Sequence, residues 1–322
     1  MIQDCFKIVK IGSLWLPYIY ESHDNKVYVG EVVNVFRRTI NIKTISNTLL
    51  SITSQNYFSP IYINIERKDY PIPIDFSKIV RPYEQVYVTN GEITINTISL
   101  KINEISSNMI YTPTICMKIA RKGIILDNVD LHKLSKMLSK VSFIINIVEK
   151  PNNIIELIKK NNFINKLKSL VNNIYGYLNN TLEKGEVVDS IYSFLGLGFG
   201  YTPSSDDFIS GLLGILNLFL SYNCRDIIKL DKHIILTRTN WVSGNLVYLN
   251  HLGLFSSVFE EAVEALLMFN EYKIIDSFLS LLSIGHTSGF DMFIGALTAS
   301  TIIYDYCNGT NILKDFMKMI FS

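Results

Sequence analysis

Residues 85–96 read QVYVT-NG-EITIN: Gln85 to Thr89 and Glu92 to Asn96 each alternate apolar and polar side chains, joined by Asn90-Gly91. Asn and Gly both accept a positive φ, and two such residues in a row form the type I′ turn whose twist matches antiparallel strands. The stretch therefore predicts a β-hairpin. Outward from it, the same β-branched and aromatic alternation recurs at residues 26–33 (KVYVGEVV) and 60–65 (PIYINI). Pro17, Pro60, Pro71, Pro73, Pro82 and Pro113, six of the eight prolines, punctuate this half and disfavour long helices. Regularly spaced strands with no helical period between them predict an antiparallel barrel or sandwich.

Past residue 128 the apolar period lengthens to that of helices. Helices are predicted over 130–149, 153–178, 186–195, 206–222, 240–252, 256–269, 276–282, 290–307 and 312–321. The expected class is α+β by segregation: an N-terminal antiparallel β barrel or sandwich domain (1–127), then an all-helical domain (128–322) carrying a glycine-rich site. No Pro/Gly/Ser linker separates them.

Composition narrows the function classes. Across 322 residues, 48% are apolar and 18% charged, which suits a folded globular protein. A net charge of +1 gives no bulk attraction for nucleic acid or an anionic membrane surface. The start, MIQDCFKIVKIGSLWLP, places Asp4, Lys7 and Lys10 inside its apolar pattern and reads as no signal peptide. The longest apolar run, Phe208 to Leu220, falls short of the roughly 20 residues a bilayer requires, so it reads as a buried helix. Cys5, Cys116, Cys224 and Cys307 lie far apart without metal-ligand spacing, and read as reduced core thiols of a cytoplasmic protein.

The chemistry concentrates at residues 196–211, GLGFGYTPSSDDFISG. Residues 285–295, GHTSGFDMFIG, repeat its pattern: G-x-T, then S-x-x-D-x-x-x-G, then an apolar helix. Ser-x-x-Asp at this place is first of all a helix-start signal, with serine as N-cap and the acid favoured by the helix dipole. The first copy holds more than a cap needs. Gly196, Gly198 and Gly200 alternate upstream, and Thr202, Ser204, Ser205, Asp206 and Asp207 crowd five polar side chains into six positions.

A start buried among apolar helices must satisfy its N–H groups, and an anion is one partner for them. Yet Asp206, Asp207 and Asp291 repel a bare phosphate. Either they hold Mg²⁺, or they accept hydrogen bonds from an NH₂ group while N–H groups take an anionic end. The lysine of a P-loop is missing, and no strand precedes the glycines as a dinucleotide fold requires. The expected site comprises Asp207, His286 and Asp291 as catalytic groups. Gly198, Gly200, Thr202, Ser204, Ser205, Asp206, Arg238, Thr239, Ser243, Thr287, Ser288 and Gly289 are expected to contact the ligand. His286 is a proton-transfer candidate, with an ordinary structural histidine as the alternative. Arg238 is the nearest candidate anion partner, with an exposed helix-start arginine as the alternative. No metal site and no cofactor are expected, Mg²⁺ remaining open.

The run GLGFGYTPSSDDFISGLLG resembles the G-L-G-P-G-L-T-P-S-G-D-D-x-L-x-G signature of the AllH family. The residues TNWVSGNLVYLNHLG and IGHTSGFDMFIG extend the likeness. That resemblance implies a subunit of an oxamate carbamoyltransferase in purine or allantoin nitrogen catabolism, working with partner subunits on a small anionic, amide-bearing substrate. Such an enzyme passes a carbamoyl group between carbamoyl phosphate and oxamate. A non-catalytic small-molecule binding or regulatory subunit with the same pocket is the alternative, and a Mg²⁺-dependent phosphotransfer enzyme a more distant one. Three positions depart from the signature: Phe199 for proline, Tyr201 for leucine and Ser205 for glycine. If that glycine needs positive φ, Ser205 is strained.

Overall fold

The computed structural model describes residues 6–23, 25–67, 74–96, 98–102, 105–148, 150–160 and 163–321. Cys5, Pro71, Pro73 and Glu149 lie outside them. The chain divides into two compact units, 1–113 and 114–322.

The first unit holds β1 (Phe6–Gly12), α1 (Leu16–Glu21), β2 (Val27–Val35), β3 (Thr39–Thr44), β4 (Leu49–Thr53) and β5 (Tyr62–Arg67). It continues with β6 (Gln85–Thr89), β7 (Glu92–Ile95), β8 (Ile98–Lys101) and β9 (Ile110–Tyr111). These form one nine-stranded sheet in the order β8-β7-β6-β2-β3-β4-β5-β1-β9, curled into a half-barrel. Most pairings are antiparallel, as the turn signals predict; β4/β5 and β1/β9 are parallel. The predicted hairpin is β6–β7, with Thr89 opposite Glu92 and positive φ at both Asn90 (49°) and Gly91 (71°). Register shifts in β1 and twice in β2 mark bulges, which coil a sheet. Trp15, fully buried, ties the inside of this unit by donating from Nε1 to the Ile61 carbonyl at 2.9 Å.

The second unit is helical: α2 (Ile115–Lys122), α3 (Leu131–Ile147), α4 (Ile154–Lys160), α5 (Ile164–Leu178), α6 (Lys184–Phe194) and α7 (Ser204–Tyr222). Then follow α8 (Lys232–Arg238), α9 (Trp241–His251), α10 (Ser257–Leu267), α11 (Glu271–Leu281), α12 (Ser288–Asn308) and α13 (Ile312–Phe321). The sequence period missed α2 and α8, which are short, and read α4 and α5 as one helix. None of these helices is long and apolar enough to cross a membrane, among the described residues. Cys116, Cys224 and Cys307 are free thiols at exposed positions, correcting the expectation of core thiols.

Two helices make the centre. Every residue of α7 from Ser204 to Leu220 is buried, and so is nearly every residue of α12 from Gly289 to Asp305. They touch backbone to backbone where a Cβ would not fit. A Cβ on Gly211 would lie 1.9 Å from the Met292 carbonyl oxygen, and a Cβ on Gly295 would lie 1.9 Å from that of Phe208. Met292 precedes Gly295 by three positions, as Phe208 precedes Gly211. The crossing is thus a local two-fold, and the repeated S-x-x-D-x-x-x-G segments are its two halves.

Candidate functional site

The crossing brings the two repeat starts together. Thr202, in the loop before α7, shares a 2.6 Å hydrogen bond with Ser288, the first residue of α12. Neither serine is an N-cap. That position falls to Pro203 and Thr287, and neither side chain accepts a hydrogen bond from the first-turn amides of its helix. Ser204 and Ser288 instead begin their helices and direct their hydroxyls outward, Ser204 donating to the Asn152 carbonyl at 3.0 Å. The capping box expected from Ser-x-x-Asp is absent.

The adjacent acids have separate roles. Asp206 is saturated: Oδ1 accepts from the Gly196 amide at 2.7 Å, while Oδ2 accepts from the Ser243 hydroxyl at 2.6 Å and from the Thr239 hydroxyl. It fastens the glycine loop to the start of α9. Burial raises its pKa, and the Gly196 amide and those hydroxyls oppose the rise. Asp207 turns the other way, toward Asp291.

Asp207 and Asp291 are 4% and 0% exposed, and the surroundings of the two are crossed. Asp207 lies beside Ser288 of the other repeat and Thr202 of its own; Asp291 lies beside Ser204 of the other repeat and Thr287 of its own. Asp291 Oδ1 also accepts from the Ile154 amide, the first of α4, at 2.6 Å. The Oδ2 atoms of both acids are buried without a hydrogen-bond partner. Burial, then repulsion from Asp291, pushes the Asp207 pKa well above the carboxylate range. Burial raises Asp291 to about 7, against the opposing pull of the Ile154 amide.

Gly196, Gly198 and Gly200 all have positive φ, at 76°, 123° and 98°. Gly196 also needs its missing side chain, since a Cβ there would meet the Arg238 carbonyl oxygen at 2.2 Å. Ser205 sits inside α7 with helical φ, so replacing the signature glycine by serine causes no left-handed strain. Its hydroxyl accepts from the Leu197 amide at 2.8 Å, and its own amide donates to the Leu197 carbonyl at 3.1 Å.

The first-turn amides are less free than the buried starts suggest. Those of Ser205, Asp206 and Asp207 donate to Leu197 or Pro203 carbonyls, and that of Gly289 donates to Ile284. The amides of Gly198, Phe199 and Gly200 donate to no group among the described residues, and Phe199 and Gly200 are exposed.

Two expected site residues stand apart from this cluster. Arg238 ends α8 with an exposed side chain, and only its carbonyl faces the loop. His286 is exposed on the turn before α12 and makes no hydrogen bond or ion pair among the described residues. Gly289 is buried and packs against the Leu281 carbonyl, a position set by close approach. Sequence reasoning missed Asn152 to Ile154 and Asn240, whose Nδ2 donates to the Tyr201 carbonyl at 2.8 Å. The asparagine-rich start of α4 (Asn152-Asn153) was the available signal for the first. With Asp206 saturated, two acids remain, and no group of three or more His, Cys, Asp or Glu is placed to hold a metal among the described residues.

The comparisons with known proteins agree with this layout. Residues 194–300, which contain both repeats and the start of α9, match the family described as oxamate carbamoyltransferase subunit AllH. Residues 10–107, the curled sheet, match the AllH family N-terminal domain. No curated protein and no solved structure matches the chain. The two family regions occur in one chain and in order, and together they cover most of it: this protein belongs to the AllH family, the family of an oxamate carbamoyltransferase subunit.

Proposed function

We propose that the chain binds a carbamoyl compound across the paired starts of α7 and α12, as a subunit of a carbamoyltransferase acting between carbamoyl phosphate and oxamate in purine or allantoin nitrogen catabolism. The observation that carries this reading is the buried acid pair with two unpartnered oxygens. A buried carboxylate oxygen left without a donor is costly, and a ligand NH₂ supplies two donors at once. The anionic end goes to the free amides of Gly198, Phe199 and Gly200. Alternating signs of φ there favour a concave run of N–H groups that suits phosphate oxygens.

In the forward direction the oxamate NH₂ attacks the carbamoyl carbon, phosphate leaves, and the attacking nitrogen gives up one proton, giving oxalurate. The chain's share of such a reaction is orientation and charge stabilisation, with no covalent nucleophile required. His286 lies on the turn that carries Thr287 and Ser288, where an exposed imidazole can exchange the proton with solvent.

The test is thermal stabilisation of the full chain, alone and with its partner subunits, by carbamoyl phosphate, oxamate, oxalurate, nucleotides and coenzyme A, with and without Mg²⁺. A ligand at 100 times its Kd stabilises by about 2.7 kcal/mol. Carbamoyl compounds are expected to stabilise the chain without Mg²⁺. No response to any of them, in either setting, overturns it. Binding without turnover in the assembled complex favours the regulatory-subunit reading instead.

A further inference from the structure

The local two-fold relating α7 to α12 makes Asp207 and Asp291 equivalent in sequence, but their surroundings break the equivalence. Asp291 accepts a backbone amide, Ile154 N at 2.6 Å, and a fixed N–H donor of this kind favours the ionised carboxylate. Asp207 receives no such amide among the described residues. Its neighbours are the hydroxyls of Thr202 and Ser288, which can donate or accept. Asp207 also has Asp206 beside it on α7 as well as Asp291 across from it, so two like charges bear on it. Both outer oxygens, Asp207 Oδ2 and Asp291 Oδ2, are buried and receive no hydrogen bond among the described residues. Two buried acids that repel each other, one of them beside a third acid as well, do not both ionise near neutrality.

We propose that Asp207 and Asp291 form a singly protonated pair, Asp207 the hydrogen-bond donor and Asp291 the charged acceptor, whose two free Oδ2 atoms read the O=C–NH₂ edge of a carbamoyl group. The carbonyl oxygen accepts from protonated Asp207 and the NH₂ donates to Asp291. The inference rests on the carbamoyl reading above and adds to it the polarity of the site. A carboxylate or a phosphate offers two acceptors and cannot satisfy Asp291. An ammonium offers only donors and cannot satisfy Asp207. An amide edge offers one of each.

Two measurements on the full chain, assembled with its partner subunits where these are needed for binding, separate this from the broader reading. The first needs no ligand. The infrared C=O stretch of a protonated carboxyl is followed at pH 8, and the wild type is expected to show a band that Asp207→Asn removes. Absence of the band, or its survival in Asp207→Asn, overturns the proton placement. The second compares carbamoyl phosphate with acetyl phosphate, which replaces NH₂ by CH₃. The wild type is expected to prefer carbamoyl phosphate by at least about thirtyfold, because the methyl group leaves Asp291 buried and unpaired.

Asp291→Asn is expected to lose most of that preference. Asp207→Asn, which still offers a donor, weakens binding by only about threefold, and Asp207→Ala by tenfold or more. Circular dichroism spectra and melting points report whether each variant is folded. Equal binding of the two phosphates by the wild type overturns the edge reading while leaving an anion site in place, with the pair bridged by a structural water only. Binding of neither overturns the carbamoyl reading itself, and the infrared result still decides where the proton lies.

Discussion

Asp206 and Asp207 are neighbours in sequence with opposite fates. Asp206 accepts three hydrogen bonds and closes a loop, while Asp207 keeps a buried oxygen free beside Asp291. Groups that cost folding energy without forming structural bonds are the ones a binding site needs. The cost has a pH signature. An acid whose pKa is raised in the folded state holds more protons folded than unfolded. Its contribution to stability is therefore complete below the ordinary carboxylate range and is lost as pH rises toward the folded value. For Asp291 that window runs from about 4 to about 7, and the rise corresponds to on the order of 4 kcal/mol.

We expect Asp291→Asn to melt progressively higher than the wild type as pH is raised from 4 to 7, with the gap widest above pH 7. Melting curves of the two proteins across this range check it, and a constant difference contradicts it. Asp206→Asn measured in the same series should fall below the wild type, because the amide cannot accept all three bonds that the carboxylate does.

At the scale of elements, the α7–α12 crossing decides the site's geometry, and its two glycines set how close the helices come. Gly211→Ala and Gly295→Ala each drive a methyl into a backbone carbonyl that lies on a buried helix and cannot move aside. Each should destabilise by about 3 kcal/mol or more in denaturant titrations. Gly200→Ala is the useful contrast. Open space surrounds that position, so only its φ of 98° resists a side chain, and about 1–2 kcal/mol is expected. A loss at Gly211 no greater than at Gly200 would contradict the backbone-to-backbone crossing.

Much of this was legible beforehand. The Asn90-Gly91 turn, the long apolar helices and the pairing of two repeats all follow from local chemistry. The serines were misread because S-x-x-D before an apolar run has the same sequence whether the hydroxyl caps its own helix or bonds to another segment. Which acid faces the partner helix, and that the Ile154 amide meets Asp291 from a distant part of the chain, are set by tertiary packing and leave no periodic trace. Helix α8 was overlooked because its seven residues bury only Ile235, too little to establish a period.

Across the whole molecule, the curled sheet of residues 6–111 and the helical unit are separate compact units, and the candidate site residues all lie in the second. Within that unit the site competes with a different feature, an apolar groove of about 670 Å³ between α5 and α13. The groove is lined by Leu167, Val171 and Met317 with lysines at its margin, and it lacks the acid pair. Amide hydrogen exchange, with and without saturating carbamoyl phosphate in the assembled complex, distinguishes the two directly. If the starts of α7 and α12 hold the ligand together, protection rises in both 196–207 and 285–291 and leaves 164–175 unchanged. Protection confined to one repeat, or appearing only along α5 and α13, contradicts a site built from both halves of the crossing.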